Sequence, residues 1–389
     1  MYEKIIKPIL FRFEPERVHD FFVGFGQFLG SNPFTRGIVR ISCGGFGGRR
    51  TVAASSLATR VLGIDFANPI GLGAGFDKDV RLTKIMPAVG FGFMEVGAIT
   101  HHPYEGNPGR RLVRLPEDRS LIVYYGLKNI GADAVERKLK RSAPFAIPVG
   151  INIAKTNRAD IRGAASVADH VATYRRLAHY FAYVTINISC PNAQDGCTFQ
   201  DPAMLDALLG ALAGEFKPRP VLLKLSAHLP LDEVDAILDI VRKHAPLVDG
   251  FVIGNLAKDR SMLHLRSPQE RLDLIPAGGI SGAPVRALTT AMIRHIYAKT
   301  GGTYRIIGLG GVFTAEDAYE KIRAGASLVQ IVTGLIYGGP RAVARINRGL
   351  AKLLAHDGYA HVADAVGADT MIKDETAVRK GANIATASE

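Results

Sequence analysis

Cysteine is scarce in this chain, whose 389 residues include only Cys43, Cys190 and Cys197. Three thiols cannot form a disulfide framework, and their spacing does not match a Cys-x-x-Cys metal site. The pattern is typical of reduced thiols in the cytosol. The pair His101-His102 has no companion ligands at metal-binding spacing, so the sequence predicts no metal site.

Long hydrophobic runs are also missing. No stretch of about 18 residues is both apolar and free of charge, so the sequence predicts no membrane-spanning helix. The first residues, Met1 to Lys4, include an acid and lack the small-residue cleavage pattern of a signal peptide. Hydrophobic residues still make up 47% of the chain, which is enough for a large core. This length can hold one α/β barrel of about 250 residues and an accessory segment.

The signature of a nucleic-acid-binding protein is absent, although the net charge is +12. There is no tryptophan, no block of Lys and Arg, and no aromatic pattern interleaved with basic residues. We therefore expect no nucleic-acid partner. Basic proteins also meet anionic lipid or small phosphates. The first fifty residues carry eight basic and four acidic side chains, which places part of the excess at the N-terminus.

Residues 1–50 carry two apolar sets at helical spacing, separated by Glu14-Pro15. The sets are Ile5, Ile6, Ile9, Leu10 and Phe13, then Val18, Phe21, Phe22, Phe25, Phe28 and Leu29. They predict two short amphipathic helices joined by a turn that Pro15 starts. One interpretation is a helical hairpin lying in the interface of an anionic membrane. The other is that these faces pack on the main domain.

From residue 68 onward, eight short apolar runs alternate with stretches of helical periodicity. The runs are 70–73, 91–96, 148–153, 183–188, 221–224, 250–253, 304–307 and 327–332. They predict an α/β protein, a (βα)8 TIM barrel over about residues 51–365 with the N-terminal helical hairpin as an extension. Residues 110–122 predict an inserted hairpin near the barrel top. The polar residues 366–389 are predicted to be a disordered tail.

Polar residues collect where the predicted strands end, which is where barrel enzymes carry their chemistry. They are Ala74 to Lys78, Asn152, Asn187 to Asn192, Lys224, Asn255, and the glycine clusters 278–282 and 308–311. Loops after strands seven and eight commonly hold a phosphate, because glycine lets backbone N–H groups approach it closely. With Ser281-Gly282 and two strand-end lysines, the pattern favours a phosphate-bearing cofactor.

Several of these pieces together resemble the dihydroorotate dehydrogenases, FMN-containing barrel enzymes of pyrimidine biosynthesis. The matching pieces are 74–79, 106–108, Arg114-Leu115, 150–153, 187–192, Lys224, 278–282, 307–311 and 324–330. The resemblance covers about residues 1–365. Pro15-Glu16-Arg17 with His19 resembles the membrane-associated class that uses quinone. The resemblance implies oxidation of dihydroorotate to orotate with FMN and quinone, by a protein bound peripherally to the cytoplasmic face of an anionic membrane.

The resemblance also implies roles for single residues. Cys190 would be the catalytic base. The cofactor-binding residues would be Ala74, Gly75, Lys78, Asn152, Asn187, Lys224, Gly254, Gly282, Gly311, Val332 and Thr333. The substrate-binding residues would be Lys78, Asn187, Asn192 and Asn255, while His19 and Arg114 would lie at the quinone access. The structural alternatives are an inert buried thiol, turn-forming asparagines, solvated lysines and a surface salt bridge for Arg114.

The chain departs from the family pattern at the substrate. The family's usual loop, Asn-Arg-x-Gly-Phe-Asn, corresponds here to residues 123–128, whose sequence is Val-Tyr-Tyr-Gly-Leu-Lys. Leu256 and Ala98 stand where hydroxyl residues are usual. The quinone-using class usually has Ser where Cys190 stands. One alternative is thus an FMN-dependent paralogue acting on another dihydropyrimidine or cyclic amide. Others are a flavin-binding protein without catalysis, or a phosphosugar isomerase or aldolase on the same barrel.

Overall fold

The N-terminal part of the protein is helical. The computed structural model describes residues 2–44, 52–141, 144–189 and 199–370. A turn of π-helix (Tyr2–Ile6) is followed by α1 (Lys7–Leu10), α2 (Pro15–Ser31), α3 (Pro33–Cys43) and α4 (Val52–Leu57). Pro15 starts α2 as predicted, and the Glu14 side chain caps that helix by accepting a hydrogen bond from the Arg17 N–H at 2.9 Å.

The helix α3 extends the predicted pair of helices to three. Its start repeats that of α2, since the Asn32 side chain accepts a hydrogen bond from the Phe34 N–H at 2.8 Å and a proline follows. Its end is Gly44, in the left-handed region with φ of 71°. Phe34 and Ile41 are 74% and 82% exposed. The sequence therefore contains capping signals for a third helix, although its apolar pattern does not indicate one.

Strands and helices alternate through the rest of the chain, after a short antiparallel pair, β1 (Thr59–Val61) and β2 (Ile64–Phe66). In chain order they are β3 (Ile70–Leu72), α5 (Met86–Val89), β4 (Phe93–Ile99), β5 (Leu112–Leu115), β6 (Ser120–Val123), α6 (Ala132–Leu139), β7 (Val149–Ile153), α7 (Ala164–Leu177), β8 (Tyr183–Asn187), α8 (Pro202–Ala213), β9 (Val221–Leu225), α9 (Leu231–Lys243), β10 (Gly250–Ile253), α10 (Gln269–Leu272), β11 (Gly279–Gly282), α11 (Arg286–Thr300), β12 (Arg305–Leu309), α12 (Ala315–Ala324), β13 (Leu328–Ile331), α13 (Thr333–Gly338) and α14 (Ala342–His356).

Eight parallel strands close the barrel, in the order β3, β4, β7, β8, β9, β10, β12, β13 and back to β3. Each of them overlaps one of the eight predicted runs, so the predicted (βα)8 barrel is confirmed. The strands β7, β8 and β9 are buried at every position. Strands covered on both faces read as continuous apolar runs, which is why the sequence showed them clearly.

The pair β1 and β2 closes one end of the barrel. Val61 and Phe66 pack there with residues at the beginnings of barrel strands, among them Phe93 and Tyr183. The opposite end, where the strands finish, is left for the site.

Three antiparallel strands cover part of that open end. The hairpin of β5 and β6 is the predicted insertion, with Leu112 opposite Val123. The strand β11 pairs with β6, so Gly279 also lies opposite Val123. The sequence did not predict this pairing, because the run 278–282 is rich in glycine. The sheet fixes the glycine cluster against the insertion.

The C-terminal part beyond α14 stays on the barrel as far as it is described. Arg323 of α12 forms an ion pair with Asp369 at 2.7 Å, and Ala368 is buried. Of the predicted disordered tail, residues 366–389, the part from 371 to 389 lies outside the described residues, and the boundaries 50 and 365 remain predictions. Among the helices in the described ranges, none is long and apolar enough to cross a membrane.

Candidate active site

A cavity opens at the carboxyl ends of the barrel strands, between the barrel and the sheet of β5, β6 and β11. Most of the predicted site residues line it, namely His19, Ala74, Gly75, Lys78, Asn152, Asn187, Lys224, Asn255, Gly282, Gly311, Val332 and Thr333. They come from loops far apart in sequence. The barrel brings them together because parallel strands all end on the same side.

A chain of hydrogen bonds begins at Glu95, which is fully buried in the middle of β4. Its carboxylate accepts hydrogen bonds from four neutral side chains of β7, β8 and β13. The donors are Asn152 Nδ2 at 2.8 Å, Tyr183 Oη at 3.3 Å, Thr185 Oγ1 at 3.1 Å and Gln330 Nε2 at 3.0 Å. Burial, and then Glu95, raise the pKa of Tyr183 well above its ordinary value, so this phenol keeps its proton.

Glu95 fixes which way the site's asparagines face. A carboxylate only accepts, so Asn152 must present its Nδ2 to Glu95 and its Oδ1 elsewhere. That Oδ1 accepts a hydrogen bond from Asn187 Nδ2 at 3.0 Å, and Asn187 Oδ1 accepts one from the Ser189 N–H at 3.2 Å. Asn255 Nδ2 donates to Ser189 Oγ at 3.0 Å. The amides are therefore held in one orientation before any ligand binds.

Two lysines bring positive charge to the cavity. Lys224 lies on β9 and is buried. Lys78 follows β3, is half-buried, and has its ammonium 4.2 Å from the centre of the Tyr125 ring. Burial lowers the pKa of Lys78 to about 8, while Asp20 and Asp79 act in the opposite direction. An anionic group would find a cation here at neutral pH.

One end of the cavity, the glycine end, is formed by Ser281, Gly282, Gly310, Gly311 and Thr333. Gly282 and Gly311 have φ of 88° and 72°, and a Cβ on either would lie 2.4 Å from a neighbouring atom. Only glycine fits such positions. Ser281 Oγ and Thr333 Oγ1 are 2.9 Å apart, so β11 and the start of α13 are hydrogen-bonded to each other. This end offers backbone and hydroxyl groups, as a phosphate requires.

The other end, the loop end, is formed by residues 123–128 and Leu256. Val123 and Leu256 give it an apolar wall. Lys128 Nζ lies 3.5 Å from a carboxylate oxygen of Glu16, and that carboxylate also accepts two hydrogen bonds from Arg111 at 2.5 and 3.1 Å. Because Glu16 belongs to α2, the loop end is tied to the N-terminal helices.

A second cavity, almost entirely apolar, lies between the N-terminal helices and the barrel. It meets the first at shared lining residues, which are His19, Phe76, Leu112, Leu121 and Ile336. His19 Nε2 lies 2.8 Å from the Phe76 carbonyl oxygen, which joins α2 to the loop after β3. Arg114 lines this second cavity. Its guanidinium lies 4.6 Å from the centre of the Phe11 ring and donates to the Phe13 carbonyl at 2.8 Å.

Four predicted residues are not among those that line the first cavity in the described structure: Arg114, which lines the second cavity, and Gly254, Cys190 and Asn192. Gly254 follows β10, and a Cβ there would lie 2.4 Å from the Leu309 carbonyl oxygen, so its place is in the packing of β10 on β12. Cys190 and Asn192 lie outside the described residues. Ser189, the residue before them, is buried and held by Asn187 and Asn255.

The sequence interpretation overlooked Glu95, Gln330 and Tyr125. Within the described part of the chain, Gln330 Oε1 and Tyr125 Oη are buried without a hydrogen-bond partner, and both residues line the cavity. Glu95 and Gln330 carried a signal, since a charged or amide residue inside a buried strand needs a polar reason. Tyr125 carried no such signal, because a single aromatic residue in a loop is common.

Comparisons with known proteins place this architecture. The family model described as Dihydroorotate dehydrogenase matches residues 56–354. A curated relative named Dihydroorotate dehydrogenase (quinone), from Acidithiobacillus ferrooxidans, is 38% identical over 372 residues, or 93% of this chain and 98% of the relative. A relative of the same name from Anaeromyxobacter sp. (strain Fw109-5) is 41% identical over 378 residues, or 96% of this chain and 97% of the relative.

A solved structure gives the same picture at lower identity. The crystal structure of DHODH from Eimeria tenella in complex with ferulenol superposes with a TM-score of 0.77 at 29% identity. The match covers 91% of this chain and 95% of that one. The similarity therefore extends over the N-terminal helices as well as the barrel.

Proposed function

Because the chain belongs to the dihydroorotate dehydrogenase family, we propose that it oxidises dihydroorotate to orotate, with FMN as its cofactor and a quinone as the electron acceptor. The observation that carries the proposal is the pair of joined cavities. One is polar, with oriented amides and lysines, and the other is apolar and reaches the N-terminal helices.

FMN fits the residues of the first cavity. The glycine end is a cradle that exposes backbone to the cavity at Gly282 and Gly311, two positions that admit no Cβ, and the orphaned Gln330 Oε1 can accept a hydrogen bond from a donor such as a ring N–H. The ring would also contact Asn152, and Lys224 would stabilise negative charge on it. When bound, FMN supplies an acceptor for the hydride that leaves the substrate.

We assign the proton transfer to Cys190. Oxidation of dihydroorotate removes a proton from one ring carbon while a hydride leaves the neighbouring carbon. A thiol of ordinary pKa, about 8.5, serves as a base when its surroundings favour the thiolate. Lys78 brings positive charge to the first cavity and would also hold the carboxylate of the substrate. The anchored Ser189 supports the strand end from which Cys190 follows.

The second cavity is the proposed quinone path. Its walls are apolar, as an isoprenoid quinone requires, and Arg114 adds a polar group within them. The shared residues His19 and Phe76 separate the path from the first cavity. Val18→Trp would narrow the path away from the first cavity. This variant should slow flavin reoxidation by quinone and leave flavin reduction by dihydroorotate unchanged, whereas unchanged reoxidation would contradict the path.

The N-terminal helices are the proposed membrane contact, on the cytoplasmic face. Their exposed large apolar side chains are Ile5, Ile9, Phe13, Phe21, Phe22, Phe25, Phe28, Phe34, Ile38 and Ile41. Exposed aromatic residues beside basic ones are typical of helices that lie in a membrane interface. The membrane interpretation thus has more support than packing of these faces on the barrel.

Vesicle flotation tests the membrane contact. Serine at Phe21, Phe28 and Phe34 together should weaken binding to vesicles containing phosphatidylglycerol by at least about tenfold, since each phenylalanine loses its apolar transfer energy. The control is Phe216→Ser, which removes an even more exposed ring, 84% accessible, from the loop before β9. Equal binding by the triple variant and the wild type would contradict the assignment.

Steady-state turnover tests the reaction. The purified full-length protein should be yellow and should form orotate from dihydroorotate in the presence of a short-chain quinone. A protein that binds no flavin would contradict the flavoenzyme assignment. It would favour the phosphate-binding barrel enzymes that share this fold.

A second candidate function rests on the loop end. Val123 and Leu256 face the cavity there with alkyl groups that cannot hydrogen-bond a pyrimidine edge. The candidate is an FMN-dependent paralogue that acts on another dihydropyrimidine or cyclic amide. A yellow protein that forms no orotate, but whose flavin is reduced by such a compound, would favour it. A yellow protein reduced by none would favour a flavin-binding protein without catalysis.

A further inference from the structure

Lys321 is a lysine without exposed surface, on the inner side of α12. Its Nζ donates hydrogen bonds to Thr289 Oγ1 at 2.7 Å and Thr290 Oγ1 at 3.1 Å, and lies 3.5 Å from the Arg286 carbonyl oxygen. All three acceptors belong to the first turns of α11. Lysine is almost never fully buried without a charged partner, so the position calls for a reason.

The counter-charge of Lys321 is not in contact with it. Among the described residues, no carboxylate forms an ion pair with its ammonium. The charges that act on it are Arg286 of α11, and Asp317 and Glu320 of its own helix. Asp317 is occupied, because Arg286 binds it and the N–H groups of Phe313 and Thr314 donate to it. Burial lowers the pKa of Lys321 to about 7.

The ammonium lies directly behind the glycine end of the first cavity. A Cβ on Gly308 would lie 3.3 Å from Lys321 Cδ. Thr289 Oγ1, which accepts from Lys321, lies 3.0 Å from the Val285 carbonyl oxygen and 3.5 Å from that of Gly310. Both Val285 and Gly310 line the cavity. One hydroxyl therefore joins Lys321 to the backbone that forms the cradle.

We propose that Lys321 is a positioning residue for the phosphate of the cofactor, acting from behind the cradle. It supplies a buried positive charge toward a phosphate monoester at the glycine end. Through Thr289 it also holds the loop that begins at Gly310 and the start of α11 at the spacing the phosphate needs. The inference rests on the proposed function, since it takes FMN as the ligand of this cavity.

A purely structural role makes a different prediction. If Lys321 only ties α12 to α11, its loss would affect every flavin alike, because the whole barrel end would loosen. If it acts on the phosphate, its loss would affect FMN and spare riboflavin, which has the same ring and ribityl chain without the phosphate. The ratio of the two affinities isolates the phosphate contribution.

The experiment compares FMN and riboflavin binding to the full-length apoprotein by quenching of flavin fluorescence. Lys321→Met keeps the length of the side chain and removes its charge. We expect FMN to bind about tenfold more weakly and riboflavin to bind unchanged, as for the loss of one charge at moderate distance in a protein interior. The control is Lys352→Met, which removes an exposed lysine on α14 and should alter neither affinity.

The wild type provides a second test that needs no variant to fold. The preference for FMN over riboflavin should decline from about pH 7 to about pH 9.5, because Lys321 loses its proton while the phosphate stays a dianion. Titration of Lys78, near the ring and substrate, affects both flavins and cancels in the ratio.

The outcomes separate the two proposals. Equal weakening of both flavins in Lys321→Met, an unchanged preference for FMN in that variant, or a pH-independent preference in the wild type would overturn the role of Lys321. If the wild type binds neither flavin, the proposed function itself is wrong, and the role of Lys321 with it.

Discussion

The two ends of the first cavity are built in different ways. The glycine end consists largely of backbone, after the barrel strands β12 and β13 and at the end of β11, with positive φ values at Gly282 and Gly311 and a buried lysine behind it. The loop end consists of side chains from the inserted hairpin and from the loop after β10, and it is tied to α2 through Glu16. The first end is built mainly of backbone, and the second mainly of side chains.

The two ends of the cavity differ in how readily their residues can be substituted. A substitution at Gly282 or Gly311 would place a Cβ 2.4 Å from its neighbours, so the cradle can hardly vary while the barrel stays folded. Val123 and Leu256 are half-buried and present their side chains to the cavity, where neither needs a special backbone conformation. We infer that the cofactor is fixed by the fold, whereas the substrate is chosen by side chains that can be replaced one at a time.

The largest effect is expected from Cys190, which follows the end of β8 in the sequence. Cys190→Ala should slow flavin reduction by dihydroorotate by about a thousandfold and leave FMN content unchanged, because a general base is lost while the cradle is untouched. Stopped-flow absorbance measures the rate. The control is Cys43→Ala, which removes a buried thiol from α3 and should leave that rate unchanged. A normal rate in Cys190→Ala would assign the proton transfer to another group.

Substrate binding should depend on pH through Lys78, whose ammonium packs on Tyr125 of the loop end. The pKa of about 8 leaves this lysine protonated below that pH, so the affinity for anionic dihydroorotate should be full there and decline as pH rises. We expect the dissociation constant to increase about tenfold between pH 7 and pH 9. In Lys78→Met this dependence should vanish. In Lys128→Met it should persist, and its loss there would show that the wrong lysine is assigned.

Glu95 acts on the cavity from the interior of the barrel. Glu95→Gln should slow flavin reduction about fivefold, because a glutamine can also donate and the single orientation of Asn152 and Asn187 is lost. The flavin midpoint potential should become more positive as a buried negative charge is removed. Redox titration measures it. Glu270→Gln, at an exposed position on α10, is the control. An unchanged potential and an unchanged rate of flavin reduction would show that Glu95 does not orient the asparagines of the site.

The smallest effect is expected from restoring one amide at the loop end. Val123→Asn should tighten dihydroorotate binding about threefold, since one hydrogen bond is gained at the cost of an apolar contact. Isothermal titration with the FMN-loaded protein measures it. Weaker binding would show that the apolar wall of this chain suits its substrate as it stands. The FMN affinity should not change, which would separate the two ends experimentally.

The barrel was predictable because its strands are buried on both faces and read as short apolar runs. The third N-terminal helix was marked by its caps at Asn32 and Gly44 and not by an apolar stripe, since Phe34 and Ile41 lie on its exposed face. The strand β11 was hidden by its glycines. It forms because β6 lies beside it, and a partner distant in sequence leaves no local signal.

The lining of the cavity was predictable where residues lie at or just after the ends of barrel strands, as Asn152, Lys224 and Lys78 do. The site was not predictable where a role depends on an atom from elsewhere. The orientation of Asn152 depends on Glu95, from the strand beside it. Lys321 is an ordinary member of an amphipathic helix in the sequence, and only the packing of α12 on α11 shows that its ammonium lies behind the cradle.

An anaerobic titration of the FMN-loaded protein with dihydroorotate shows whether this cavity, with its altered loop end, still passes a hydride from dihydroorotate to flavin. The account predicts bleaching of the visible flavin absorbance by one equivalent, and its return when a quinone is added. A flavin that stays oxidised at every concentration of dihydroorotate would contradict it.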